Sequence, residues 1–232
     1  MQKATTLEIF DIAQYSSVAP LAETFRRDHY VRLPGLVRAE AIERLTEEIE
    51  RLRALAIRRE FAMECMDNSP RRMSTIGGEA LAEESVLIPG MYEDAELVQF
   101  ISGVFGETLQ VVQDPIERHV INFLHEAGDT HGGHFDDHPI ALVVFVESPP
   151  AHAGGLIEYV QNAASLGELD GPDVKRAHHQ VGDGYLLKTD TTAHRVSSLA
   201  PGYRRTAMNF AYTTPALASV ASPSASLLYS RT

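Results

Sequence analysis

The segment DTHGGHFDDHPIALVVFVE, residues 129–147, joins a polar cluster to a long apolar stretch. The apolar half is rich in β-branched and aromatic residues, which favours a buried strand. Further short strands are predicted around it, separated by Gly, Pro and Asp turns: LQVVQ (109–113), RHVINFL (118–124), GLIEYV (155–160), DGYLLKT (183–189) and RRTAMNFAYTT (204–214). From residue 109 onward the chain is therefore expected to be β-rich.

Helical patterns precede these strands. Apolar residues recur at helical spacing from Val18 to about Leu55, and ELVQFISGVFG (96–106) ends at a glycine, as helices often do. The segment HYVRLPGLV (29–37) resembles a single strand closed by a Pro-Gly turn. Helices followed by six or more short strands predict an α+β domain whose core is a sandwich or jelly roll.

Length and composition predict one domain over residues 1–232, with a helical layer to about residue 106. A β core is expected over about 107–214, followed by a Ser/Ala-rich tail over 215–232. Cys65 is the only cysteine, so neither an intrachain disulfide nor a thiolate metal cluster is possible.

The charge pattern limits the class of partner. The formal net charge is -12, and no stretch collects five Lys and Arg residues, which argues against nucleic acid and anionic membranes. No apolar run approaches the roughly 20 residues of a membrane-spanning helix. The N-terminus lacks the features of a secretion signal, so a cytoplasmic protein with a small-molecule substrate is expected, by elimination.

The polar cluster predicts a metal site. Residues two apart in a strand point to the same face, so His134 and Asp136 can present an imidazole and a carboxylate to one ion. His194, 60 residues further on, can supply a third ligand. Two histidines and one carboxylate, with the opposite face open, suit a non-heme Fe(II) oxygenase, and the absence of thiolates disfavours structural zinc.

Two arginines follow the third candidate ligand closely in the sequence. Arg204 and Arg205 stand 10 and 11 residues beyond His194, at the start of a predicted strand. Either can clamp a dicarboxylate in bidentate fashion. Strand alternation places Arg205 on a small, polar face with Asn209, which favours Arg205 as the anchor and leaves Arg204 as the alternative.

This pattern resembles the Fe(II)/2-oxoglutarate-dependent oxygenases, over most of the chain. The resemblance implies a double-stranded β-helix (jelly-roll, cupin-like) core with N-terminal helices packed on one sheet. The helical opening resembles the phytanoyl-CoA hydroxylase branch. More narrowly, residues 129–147, with TDTTAHR (189–195) and RTAMNFA (205–211), resemble enzymes that halogenate or hydroxylate free amino acids such as lysine. The implied cofactor is Fe(II), with 2-oxoglutarate and O2 as cosubstrates.

Asp136 separates the two reactions of that group. The halogenases carry Gly where hydroxylases carry the carboxylate ligand, so the resemblance implies hydroxylation, with succinate and CO2 as coproducts. A competing alignment uses His131-Gly132-Gly133 as the ligand motif, with its Gly. The segment HFDDH matches the metal-binding region better.

The same resemblance implies substrate contacts. Arg71, His131 and Asn209 correspond to residues that hold the α-carboxylate and α-amine, and Glu117 and Asp137 to residues that receive a side-chain ammonium. A basic, lysine-like free amino acid is therefore favoured. The chain has no Trp, although the lysine-acting relatives place a Trp over the substrate, so a differently sized or substituted amino acid also fits.

Several alternatives stay open from the sequence. The same iron centre could support desaturation, cyclisation or halogenation, and the substrate could be larger or carrier-bound. A non-catalytic, cupin-like binding module is a further hypothesis. The complete set of three candidate ligands and an arginine argues against it. The oligomeric state is not indicated.

Overall fold

The computed structural model describes residues 8–217 and 224–231. The helices within these ranges are α1 (Ala19–Asp28), α2 (Ala39–Leu52), α3 (Gly78–Glu84), α4 (Leu87–Tyr92), α5 (Ala95–Phe105) and α6 (Ala225–Tyr229). The strands are β1 (Tyr30–Leu33), β2 (Ile57–Met63), β3 (Ser69–Ile76), β4 (Gln110–Val111), β5 (His119–Leu124), β6 (Thr130–His134), β7 (Ile140–Glu147), β8 (Ile157–Gln161), β9 (Lys175–Ala177), β10 (Gly184–Lys188), β11 (Thr192–Val196) and β12 (Arg205–Thr213).

These strands form one curled antiparallel sheet in the order β1-β10-β7-β12-β5-β3-β6-β11-β8-β9, with β2 beside β3 and β4 beside β12. All residues of β5 and nearly all of β7 are buried, because helices cover one face of the curl and the opposite strands cover the other. The predicted α+β class with a double-stranded β-helix core is confirmed.

The N-terminal helices pack through apolar stripes. Helix α2 buries Ala41, Leu45 and Ile49 in the main core together with residues of β7. Helix α5 begins where the Asp94 side chain accepts a hydrogen bond from the Leu97 N–H at 2.8 Å. It ends before Gly106, whose φ of 93° suits a glycine. Of the described helices, none has the length and apolar character that crossing a membrane requires.

The predicted boundary near residue 106 does not separate helices from sheet, since β1, β2 and β3 lie before it. The β2-β3 hairpin was missed because its arginines obscure the alternation of buried and exposed positions. Arg59 and Arg71 are buried, and Arg58 pairs with the Asp129 carboxylate at 2.7 Å. The partners of Arg58 and Arg59 are distant in sequence, Asp129 for Arg58 and Thr75 and Ser230 for Arg59, so a local pattern does not contain them.

The predicted tail, 215–232, lies partly outside the described residues. Within it, α6 packs on the end of β3, where the Thr75 hydroxyl donates to the Leu228 carbonyl at 2.7 Å. Gly77 lies directly against this helix, since a Cβ there would lie 2.0 Å from the Tyr229 carbonyl oxygen. Ser224 and Leu228 thereby place α6 over one end of the β core, near Asp137.

Candidate metal centre

A β-bulge shapes the strand that carries the first histidine. In the pairing of β6 with β11, His134 lies opposite His194, but His131 lies opposite Val196. Three steps along β6 therefore match two steps along β11. Regular alternation would point His131 and His134 to opposite faces, and the extra residue at Gly132 or Gly133 brings them to one face. Their rings stack with centroids 4.1 Å apart.

The three predicted metal ligands meet at one point. Asp136 Oδ1 lies 3.5 Å from His134 Nε2 and 3.8 Å from His194 Nε2. One ligand atom from each residue lies within 4.8 Å of the others. Two ligand atoms at right angles, each about 2.1 Å from an ion, lie about 3 Å apart, so small side-chain movements suffice to enclose a cation.

The histidines are oriented for this role by the backbone. His134 Nδ1 lies 2.7 Å from the Gly132 carbonyl oxygen, and His194 Nδ1 lies 3.0 Å from that of Thr192. Because a carbonyl only accepts hydrogen bonds, each Nδ1 carries the proton and each Nε2 keeps its lone pair. The Asp136 N–H donates to the Thr189 carbonyl at 3.1 Å, which holds the loop after β6 beside β10.

Burial controls the charges of these groups. It lowers the pKa of His194 to about 4 and that of His134 well below the ordinary value. Burial, and then the neighbouring Asp137 carboxylate, raise the pKa of Asp136 to about 7. Two neutral imidazoles and a carboxyl group whose ionised form is disfavoured make a site that a divalent cation stabilises.

Arg205 lines the same cavity as the three ligands. Its side chain is 3% exposed, its guanidinium carbon lies 4.9 Å from the centre of the Phe145 ring, and no described residue forms a hydrogen bond or ion pair with it. Gly155, at φ 68°, leaves room for it, because a Cβ there would lie 3.1 Å from Arg205 Cδ. Burying an unpaired guanidinium is costly, which points to an anionic ligand.

Arg204, the alternative anchor, lies outside the cavity. Its side chain contacts the carboxylates of Glu147 and Glu50 at 3.3 and 3.4 Å. The two adjacent arginines therefore lie in different environments, Arg205 in the cavity and Arg204 outside it.

Two of the predicted substrate residues, His131 and Asn209, also line the cavity. Both carry a buried polar atom without a hydrogen-bond partner, the Nε2 of His131 and the Oδ1 of Asn209. Asn122, which sequence reasoning missed, lines the same wall and has an unpartnered Oδ1. The available signal was an amide in the middle of the apolar strand HVINFL.

Arg71 lies beside the cavity wall, opposite His131 in the pairing of β3 with β6. It is 0% exposed, and its Nη1 donates to the Ser69 hydroxyl at 2.7 Å. Its Nε has no partner, and no described carboxylate lies within ion-pair distance. Burial lowers its pKa to about 10, so it remains a cation at neutral pH.

Glu117 and Asp137 lie around a third histidine. A Glu117 carboxylate oxygen lies 3.6 Å from His138 Nε2, and the Asp137 carboxylate opposes the burial that lowers the pKa of His138. Neither acid lines the cavity that holds the three ligands. The structure therefore brings the two acids together, but on the side of the centre where α6 lies.

Tyr229 of α6 connects these groups and was missed from the sequence. Its side chain is buried; burial raises its pKa, and the Glu117 and Asp136 carboxylates add to the increase. The Asn122 side chain hydrogen-bonds to it, and the Arg71 guanidinium lowers its pKa. Tyr229 thus borders the space between the acids and the metal ligands. The Ser/Ala-rich sequence around it gave no local signal for this position.

Tyr185 of β10 was also missed. Its ring lines the cavity together with Arg205 and the metal ligands. Burial raises the pKa of its phenol, Arg205 lowers it and Asp136 raises it. A tyrosine in a short apolar strand is usually interpreted as a core residue. Only the placement of β10 in the sheet shows that the side chain of Tyr185 faces this cavity.

Comparison with solved structures places the fold. The chain is similar to the non-heme α-ketoglutarate-dependent epimerase SnoN from nogalamycin biosynthesis, with a TM-score of 0.68, 16% identity, and 86% of this chain and 81% of that chain covered. It is similar to HygX from Streptomyces hygroscopicus (TM-score 0.62, 14% identity, 84% and 87% covered). A prolyl hydroxylase from Trichoplax adhaerens gives a TM-score of 0.64 at 11% identity, with 87% and 91% covered.

The fold is therefore that of the 2-oxoglutarate-dependent non-heme iron oxygenases, with a histidine-carboxylate-histidine cluster in its cavity. The family model Halogenase D matches residues 13–223, and the chain belongs to this family. No curated protein matches the sequence.

Proposed function

We propose that the chain is an Fe(II)- and 2-oxoglutarate-dependent dioxygenase that hydroxylates an unactivated C–H bond of a small, free, basic amino acid. The observation that carries the proposal is the shared cavity of His134, Asp136, His194 and Arg205. A divalent ion and a dicarboxylate together match the charges these residues bury. The solved structures of SnoN with Fe3+ and α-ketoglutarate, and of HygX with nickel and 2-oxoglutarate, support this assignment.

The residues of the chain fit both groups. His134, Asp136 and His194 would hold the iron, which when bound supplies the activation of O2 for C–H oxidation. Arg205 would hold the far carboxylate of 2-oxoglutarate. Apolar residues of the cavity wall, among them Val143, would keep bulk water away from the reacting atoms.

The buried charges support an amino-acid substrate. Arg71 is a second buried guanidinium without a carboxylate partner among the described residues, and it suits the α-carboxylate. The unpartnered Oδ1 of Asn209 can accept a hydrogen bond from the α-amine, and the Nε2 of His131 can donate one to the α-carboxylate when it carries the ring proton. Glu117 and Asp137, which both lie near His138, supply carboxylates that suit a side-chain ammonium. A molecule with one carboxylate and two amines complements this distribution of charge.

A second candidate reaction is halogenation, which the Halogenase D family match favours. Asp136 argues against it, because its carboxylate would take the coordination position that the resemblance assigns to chloride in the halogenases. Its distances of 3.5 and 3.8 Å to the two histidine nitrogens support a role as a ligand. Hydroxylation therefore remains the proposed outcome.

The proposal is tested by anaerobic loading with Fe(II) and 2-oxoglutarate, followed by O2 and a panel of free amino acids. We expect succinate and a product 16 mass units heavier for a basic amino acid, by the chemistry of hydroxylation. A chlorinated product in chloride buffer would instead support the halogenase. If no succinate forms, O2 uptake does not depend on substrate, and an Asp136→Ala variant behaves like the parent, the chain is a non-catalytic binding module.

A further inference from the structure

Arg205 is held from one side by an aromatic ring. Its guanidinium carbon lies 4.9 Å from the centre of the Phe145 ring, and described residues offer its side chain no hydrogen bond. An arginine without hydrogen-bond partners would ordinarily sample several rotamers. Contact with an aromatic face restricts the plane of the guanidinium while leaving its N–H groups free for a ligand.

A second ring supports Phe145. The imidazole of His179 stacks on Phe145 with centroids 4.7 Å apart and an interplanar angle of 10°. Phe145 therefore contacts both the His179 imidazole and the Arg205 guanidinium.

His179 is itself held by one contact at its ring and one at its backbone. The Tyr30 hydroxyl lies 2.8 Å from His179 Nε2, and the Ser148 hydroxyl donates to the His179 carbonyl at 2.6 Å. Burial, and then the nearby Arg205, lower the pKa of His179 to about 3. The imidazole that stacks on Phe145 is thus neutral near pH 7, so it adds no second positive charge beside Arg205.

We propose that Phe145 and His179 are positioning residues that hold the Arg205 guanidinium in place for the far carboxylate of the dicarboxylate cosubstrate. This inference rests on the proposed function. His179 lies on the loop between β9 and β10, and Phe145 lies on β7, so the stack connects the anchor strand β12 to two other parts of the core. Neither residue need touch the cosubstrate.

The test measures the dissociation constant of 2-oxoglutarate. The cosubstrate is titrated without O2 into the Fe(II)-loaded protein, so no turnover occurs, and binding is followed by the charge-transfer absorbance of the complex of Fe(II) with 2-oxoglutarate. Phe145→Leu removes the aromatic face, and the lost cation–π contact predicts roughly 2- to 30-fold weaker binding. His179→Leu is expected to weaken binding in the same direction. His179→Phe keeps a neutral stacked ring and should bind within about twofold of the parent.

Phe100→Leu is the matched control, since Phe100 is a buried ring stacked on Tyr15 at 5.2 Å, away from this cavity. It should lower the melting temperature as Phe145→Leu does, but leave 2-oxoglutarate binding unchanged. Fe(II) affinity should be equal in all variants. If Phe145→Leu and His179→Leu bind 2-oxoglutarate as tightly as the unmodified protein does, the positioning role is wrong, but the proposed function is not affected. If the unmodified protein binds Fe(II) but does not bind 2-oxoglutarate, the proposed function is wrong as well.

Discussion

Arg204 and Arg205 are adjacent in sequence but occupy opposite environments at the start of β12. The Arg205 guanidinium is buried in the cavity over Phe145, whereas the Arg204 side chain is 48% exposed and pairs with surface carboxylates. Arg205 is the first residue of β12, and Arg204 directly precedes it. The pair therefore offers a matched comparison, in which the same substitution is made at two adjacent residues in different environments.

Arg205→Lys should raise the KM for 2-oxoglutarate roughly 10- to 100-fold, because a lysine cannot reproduce the bidentate contact with a carboxylate. Arg204→Lys should leave this KM within about twofold, since exposed ion pairs contribute little. Steady-state succinate formation measures both. Equal effects of the two substitutions, or a larger effect at Arg204, would contradict the assignment of the anchor.

Asp136→Gly is expected to reduce hydroxylation by at least about tenfold through the loss of a ligand. In chloride buffer the open position should admit the halide, so a product carrying chlorine should be detected by mass spectrometry. The same variant in sulfate buffer is the control and should give no chlorinated product. Undiminished hydroxylation by Asp136→Gly would show that Asp136 is not a ligand.

Glu117→Gln should raise the KM for a basic amino acid roughly 10- to 100-fold, because it removes a charge-assisted hydrogen bond to the substrate ammonium. The KM for 2-oxoglutarate should not change. The exposed Glu93→Gln is the matched control and should affect neither constant. An increase in both constants for Glu117→Gln would indicate a general disturbance of the core in place of a substrate contact.

Gly77→Ala should displace α6, because the new Cβ would lie 2.0 Å from the Tyr229 carbonyl oxygen and 2.9 Å from its carbon. We expect a loss of about 1–3 kcal/mol in the free energy of unfolding and faster proteolysis near the C-terminus. Gly90→Ala in α4 is the control, since no neighbouring atom lies within 4 Å of its Cβ. It should be neutral or stabilise by up to about 1 kcal/mol.

The sequence by itself predicted the fold class and the residues now proposed as metal ligands. Both predictions depend on local relations. Short apolar, β-branched segments mark strands, and HxD was expected to place two side chains on one face of a strand, whereas in the structure β6 ends at His134 and Asp136 lies in the loop that follows. The choice of Arg205 over Arg204 followed from the same alternation, without knowledge of the neighbouring strands. The helix ending at Gly106 was likewise predicted from a local signal, the glycine that follows its last turn.

The tertiary structure decided the rest, because the remaining features depend on pairing between distant segments. The bulge that brings His131 beside His134 exists only in the register of β6 against β11. Tyr229 reaches the site because α6 docks against Gly77, more than a hundred residues away in the chain. The stack of His179 on Phe145 joins a loop to a strand. Such contacts are set by long-range packing, which no local periodicity in the sequence encodes.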